Sequence, residues 1–86
     1  MAALTVNVVS ADQQIWTGEA AQVTARTTEG EIGILPGHEP VLAILASGQV
    51  RVRQSNGATV EATAEDGFLS VENDTVTIVA RNAALV

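Results

Sequence analysis

Gly30-Glu31-Ile32-Gly33-Ile34-Leu35-Pro36-Gly37-His38-Glu39-Pro40, running into Val41-Leu42-Ala43-Ile44-Leu45, holds both prolines, the single histidine and three of the seven glycines of the chain. Proline fixes φ and gives no donor to a sheet ladder, whereas glycine reaches backbone shapes closed to other residues. With Ile32, Ile34 and Leu35 interleaved, residues 30–40 read as a shaped loop with apolar anchors. A flexible linker would carry Ser and Gly without them. The loop is either a structural corner between two sheets or a docking surface held on a rigid scaffold. Val41–Leu45, apolar throughout, reads as a strand covered on both faces.

To either side the pattern is one of strands. Upstream, Leu4-Thr5-Val6-Asn7-Val8 alternates apolar and polar, the period of a half-buried strand. Ser10-Ala11-Asp12-Gln13 reads as a turn, and Ile15-Trp16 as a short extended piece closed by Gly18. Trp16 is a core or sheet-edge anchor, or a stacking platform for a ligand. Ala21, Val23 and Ala25 face one way and Gln22, Thr24 and Arg26 the other.

Downstream, Gly48 resets the chain and two hairpins follow. Val50-Arg51-Val52-Arg53 and Val60-Glu61-Ala62 flank Ser55-Asn56-Gly57. A three-residue loop with Gly57 in the left-handed region pairs Val52 with Val60, Val50 with Ala62, Arg51 with Glu61 and Arg53 with Thr59. A two-residue loop would set Val52 against Glu61 and mix the faces. The arginines then form a solvated face or meet a partner. In the second hairpin a two-residue turn at Asn73-Asp74 pairs Val71 with Val76 and Leu69 with Ile78. Residues 81–86 show no sheet alternation; they read as a short tail after a domain of residues 1–80, too short to sustain a helix alone. Short strands with frequent turn signals define the fold class as all-β, a two-sheet β-sandwich of roughly 8–10 short, mostly antiparallel strands.

Composition narrows the function. At 86 residues one domain is expected, burying about 60% of the surface its unfolded chain exposes. The net charge of -6 argues against nucleic acid and against a direct grip on anionic lipid. The chain has no cysteine, so it can form neither disulfide nor thiolate metal site, and no lysine, so it offers no Walker-type phosphate loop and no lysine-linked cofactor. Met1–Thr5 has no charged n-region, and no stretch approaches the ~18 apolar residues of a membrane span. The expectation is a soluble, intracellular protein that meets a membrane only through a partner. His38 is the single histidine and has no evident nucleophile beside it, so a satisfied loop or interface role is the plainer one. Glu29 and Glu31 share a face in an extended segment but make a poor cation site alone. No catalytic constellation, cofactor site or metal site is expected.

GEIGILPGHEP at 30–40 with VLAIL at 41–45 resembles the N-terminal β-sandwich domain of the epsilon subunit of bacterial F-type ATP synthase (delta in mitochondria). Val8–Asp12, Trp16–Gly18, Gly48–Val50, Gly67–Val71 and Val76–Ala80 support the match along the chain. The resemblance implies a non-catalytic rotor subunit of the central stalk, linking the gamma subunit to the ring of c subunits for rotational coupling and assembly. It implies that Glu29, Gly30, Glu31, Ile32 and Gly33 face the c-ring, with Glu31 meeting its polar loops. It implies that Ser10, His38, Glu39, Pro40, Val41 and Leu42 face gamma. It also implies a peripheral place on the cytoplasmic side of a bacterial cell membrane, through partner subunits. Family members usually continue into two C-terminal helices; with the sequence ending at Val86, helix-based inhibition and nucleotide binding are not expected. Glu65-Asp66-Gly67 stands where the family often has two consecutive glycines. The alternative is a free-standing sandwich that binds a small molecule or carbohydrate, which needs a pocket with convergent polar groups.

Overall fold

A computed structural model of the chain describes residues 3–10 and 13–85. They form β1 (Leu4–Ser10), β2 (Gln13–Ala20), β3 (Gln22–Thr27), β4 (Gly30–Ile34), β5 (Val41–Arg53), β6 (Thr59–Glu72) and β7 (Thr75–Leu85). Hydrogen bonds join all seven in the order β2-β1-β7-β6-β5-β3-β4. Neighbours are antiparallel except β1 and β7, which pair in parallel from Thr5–Thr75 to Ser10–Ala80.

This continuous sheet folds over itself into two layers. Strands lie about 4.8 Å apart, so six flat steps would separate β2 from β4 by nearly 30 Å. Yet Ala20 of β2 and Ile34 of β4 belong to one buried core. The bend falls in the long strands. Val41–Ile44 of β5 pairs with Phe68–Val71 of β6, and Gly48–Arg53 pairs with Thr59–Ala64; the ladder lapses between. Asp66, with φ of 56°, and Gly67 mark the lapse on β6. Extra backbone of this kind re-aims a strand and sharpens its twist.

The core is aliphatic: Leu4, Val6 and Val8 of β1 meet Val76 and Ile78 of β7 and Leu69 and Val71 of β6 from one layer, and Val23, Ile34, Val50 and Val52 from the other. Each such side chain contributes roughly 1.5–3 kcal/mol on burial. Trp16 is half-buried against this core, its ring lying over Gly18, where a β-carbon would stand 2.8 Å from the indole. Gly18 therefore sits inside β2, making room for the ring, and does not close the strand.

The two hairpins have the expected registers. Val52–Val60, Val50–Ala62, Arg51–Glu61 and Arg53–Thr59 are paired around a loop with Gly57 at φ 91°. Val71–Val76 and Leu69–Ile78 are paired around Asn73 and Asp74, at φ 50° and 57°.

Three expectations are corrected. The described strands number seven, not roughly 8–10. Val41–Leu45 and Val50–Arg53 are one strand of 13 residues, because Gly48 bends the chain without breaking it. Residues 59–72 are likewise one strand of 14, bent at Asp66–Gly67. Residues 30–40 are not all loop: Gly30–Ile34 is β4, paired with β3 from Thr27–Gly30 to Val23–Ile34. The segment after Ala80 stays in the sheet, with Asn82, Ala83, Ala84 and Leu85 opposite Glu65, Ala64, Thr63 and Ala62. Its lack of alternation reflects an end covered on one side by Ala83 alone, held by β6 and by Ser10. Val86 and the expected turn residues Ala11 and Asp12 lie outside the described residues.

Candidate partner-docking interface

Strand alternation sends Val41, Ala43 and Leu45 inward on β5 and leaves Leu42 and Ile44 outward. Leu42 is 69% exposed and Ile44 58%, so the apolar run is not covered on both faces, as its composition suggests. Across the layer, Ile44 pairs with Phe68, Phe68 with Val79, and Val79 with Val9. All four point away from the core. Phe68 is itself 38% exposed. The outer face of this layer thus carries an apolar row crossing four strands, with Leu42 one pleat along from Ile44. Singly exposed apolar side chains are ordinary, but a contiguous row marks an interaction surface.

Beside this row lies the turn of residues 35–40. Leu35 is exposed, Gly37 takes φ of 88°, and the His38 amide donates to the Leu35 carbonyl at 3.1 Å. His38 Nδ1 donates to the Glu39 carbonyl at 2.7 Å, so the imidazole is engaged within its own loop. Asp74 Oδ1 accepts from the Gly37 amide at 2.7 Å, tying the turn to the β6–β7 hairpin. Val41 and Leu42 continue directly from this turn into β5.

The other expected group sits on the β3–β4 hairpin. Glu29, Gly30, Glu31 and Gly33 are exposed, while Ile32 packs against the core. Thr27 Oγ1 donates to the Gly30 carbonyl at 2.7 Å and accepts from the Glu29 amide at 3.2 Å, so a buried hydroxyl shapes the turn. Opposite β4, Arg26 pairs with Glu31 in register. The Thr28 amide donates to the Ile44 carbonyl at 2.9 Å, and a shallow groove beside that bond is lined by Thr28–Ile32 and Val41–Ile44. Residues assigned to two different partners therefore face each other across one groove.

Ser10 is placed apart. The ladder sets it level with Ala80 of β7, three strands from β5, and its hydroxyl donates to the Arg81 carbonyl at 3.3 Å while accepting from the Ala83 amide at 3.2 Å. Ile44, Phe68, Val79 and Val9 are the surface residues that sequence reasoning passed over. Local sequence pattern does not single them out, because the pairing of β5, β6, β7 and β1 is what joins them into one row.

Arg51 and Glu61 pair at 3.3 Å on the outer face of the second layer, next to Arg53. Among the described residues no three His, Cys, Asp or Glu side chains gather as a metal site, and no helix is long and apolar enough to cross a membrane.

A rigid two-layer sandwich that leaves an apolar strip bare, flanked by a proline-shaped turn and a glutamate-bearing hairpin, is a protein-interaction domain. Residues 3–86 match the family model described as the β-sandwich domain of the ATP synthase delta/epsilon chain, and the chain belongs to that family. It is 54% identical over 85 residues to the ATP synthase epsilon chain of Micrococcus luteus, covering 99% of this chain and 93% of that one. The epsilon chain of Streptomyces avermitilis is 48% identical over 84 residues, covering 98% of this chain and 68% of its own length. Among solved structures, a chain of the Euglena gracilis mitochondrial ATP synthase OSCP/F1/c-ring assembly superposes with a TM-score of 0.92 at 30% identity. The match covers 99% of this chain and 54% of that one, so this sequence spans about half the Euglena chain. A chain of the Tetrahymena thermophila central stalk and c-ring shares the fold, with a TM-score of 0.76 at 16% identity.

Proposed function

We propose that the chain is a non-catalytic stalk subunit of a proton-translocating ATP synthase, joining gamma to the c-ring so that ring and stalk turn together. The observation that carries this is the outward-facing apolar row in which Leu42, Ile44 and Phe68 are exposed and Val79 and Val9 half-buried, a surface suited to being covered by a protein. Gamma is the partner assigned to this face, with His38, Glu39, Pro40 and Leu42 at its rim, Val41 beneath them against the core, and Ser10 at the far end of the layer. The c-ring is assigned to Glu29–Gly33, where the exposed Glu31 offers charge to basic groups on the ring's polar loops. A sandwich with a close-packed core resists shear between two such docking sites, which rotational coupling requires. The chain then resides at the cytoplasmic side of a bacterial cell membrane, through its partners. A carbohydrate-binding role finds no support in a flat strip whose one aromatic, Phe68, stands among aliphatic side chains.

The experiment is reconstitution. The chain mixed with purified gamma at micromolar concentration is expected to co-elute as one complex. Membranes lacking the subunit are expected to regain ATP-driven proton pumping when it is added. Separate elution, with no recovery of pumping, refutes the assignment.

A further inference from the structure

We infer that Asp74, in the β6–β7 turn, is a positioning residue of the gamma-docking surface: it fixes the shape in which residues 35–40 are presented. This rests on the docking role proposed above.

Three elements converge on Asp74. Its carbonyl accepts from the Thr5 amide at 2.8 Å, fastening the turn to the start of β1. Its carboxylate accepts from the Gly37 amide at 2.7 Å, across 37 positions of sequence. Its backbone, at φ 57°, closes the hairpin. The remaining hydrogen bonds of residues 35–40 among those described, His38 amide to Leu35 carbonyl and His38 Nδ1 to Glu39 carbonyl, stay inside the loop. Pro36 and Pro40 offer no N–H for anchoring. Gly37 thus supplies the link between the loop and the sandwich, and Asp74 receives it.

The choice of residue points the same way. A two-residue hairpin turn with positive φ at both positions favours Asn-Gly, so glycine would suit the backbone of position 74 better than aspartate. Aspartate keeps an acceptor aimed at a loop that the hairpin itself does not need. A carboxylate accepting from a backbone N–H makes one of the shorter and stronger hydrogen bonds, suited to holding a loop between docking events.

The test compares Asp74→Gly with Asp74→Asn. Glycine keeps the turn and removes the acceptor; asparagine keeps a side-chain carbonyl in place. Asp74→Gly is expected to hold or raise the urea midpoint, to speed amide exchange at Gly37, and to weaken binding of purified gamma by about tenfold in titration calorimetry. Asp74→Asn is expected to restore Gly37 protection and most of the affinity. Wild-type affinity in Asp74→Gly overturns the inference, whether or not Gly37 exchange has changed. Equal stability losses in both variants reduce Asp74 to a structural role and overturn it too. If the wild-type chain itself does not bind gamma, the docking role fails first, a result distinguishable because it appears before any substitution is made.

Discussion

Gly67 stands directly under the backbone of Val79: a β-carbon at position 67 would run into the Val79 carbonyl oxygen and lie 2.5 Å from the Ala80 Cα. The contact is with main chain, which no rotamer change relieves. It falls where β6 turns from one layer into the other, so close approach of β6 and β7 is part of what folds the sheet. Gly67→Ala is therefore expected to cost about 3 kcal/mol, the upper end of overpacking penalties. A urea titration checks this; a midpoint within error of wild type would mean that the two strands separate at no cost.

The preceding residue tests a different property of the same bend. Asp66 is exposed and holds φ at 56°, a region that costs most L-residues roughly 1–2 kcal/mol and aspartate less. Asp66→Ala is expected to lower stability by about 1 kcal/mol, while Asp66→Gly leaves it equal or slightly higher. Thermal melts of the two variants decide it. If alanine is tolerated as well as glycine, the left-handed backbone is not what position 66 requires.

The all-β class and the two hairpin registers were legible because side-chain alternation and turn chemistry act over a few residues. Val52–Val60 and Leu69–Ile78 fall into place once Gly57 and Asn73-Asp74 are read as turns. The strand count was not legible. Glycine at 48 and Asp66-Gly67 look like breaks to a local pattern, yet the long-range pairing of β5 with β6 carries the chain through them. The alanine-rich end of β7 had no signal of its own, since its partner Ala62–Glu65 lies far upstream. For the candidate interface, Val41 and Leu42 are assigned by family resemblance alone, whereas Ile44 and Phe68 become visible only when register shows them paired on the outer face. An apolar run looks alike whether the protein covers it or a partner does.

Arg51 and Glu61 form the ion pair seen on the second layer, with the Arg51 side chain 60% exposed. Water and salt screen such a pair, and ordering two long side chains offsets most of the attraction. A double-mutant cycle with Arg51→Ala and Glu61→Ala is expected to give a coupling of about 0.5 kcal/mol or less, shrinking further in 1 M salt. A coupling well above 1 kcal/mol would show that this face is shielded in a way its exposure does not indicate.

Glu31 is exposed on β4 and its side chain supports no core contact, so Glu31→Lys is expected to change stability by no more than about 0.5 kcal/mol. If the hairpin docks on basic groups of the c-ring, reversing this charge should weaken capture of the chain with gamma by detergent-solubilised rings, most strongly at low salt. Capture that is equal for both proteins at low and high salt would remove Glu31 from the ring interface and leave the Glu29–Gly33 hairpin without its charged contact.

The apolar row gives the sharpest separation of docking from folding. Ile44 is 58% exposed and points away from the core, so Ile44→Glu removes little buried surface and should leave stability within about 0.5 kcal/mol of wild type. In a complex with gamma the same carboxylate would be desolvated beside Phe68 with no cation among the row's own side chains to meet it. That penalty should appear as a loss of affinity of at least tenfold, about 1.4 kcal/mol, in titration calorimetry. Ser55→Glu, at the far hairpin loop, adds the same charge away from the row and should bind as wild type. Should Ile44→Glu also bind as wild type, the bare row would not be the gamma face, because a charge buried in an apolar contact cannot go unnoticed.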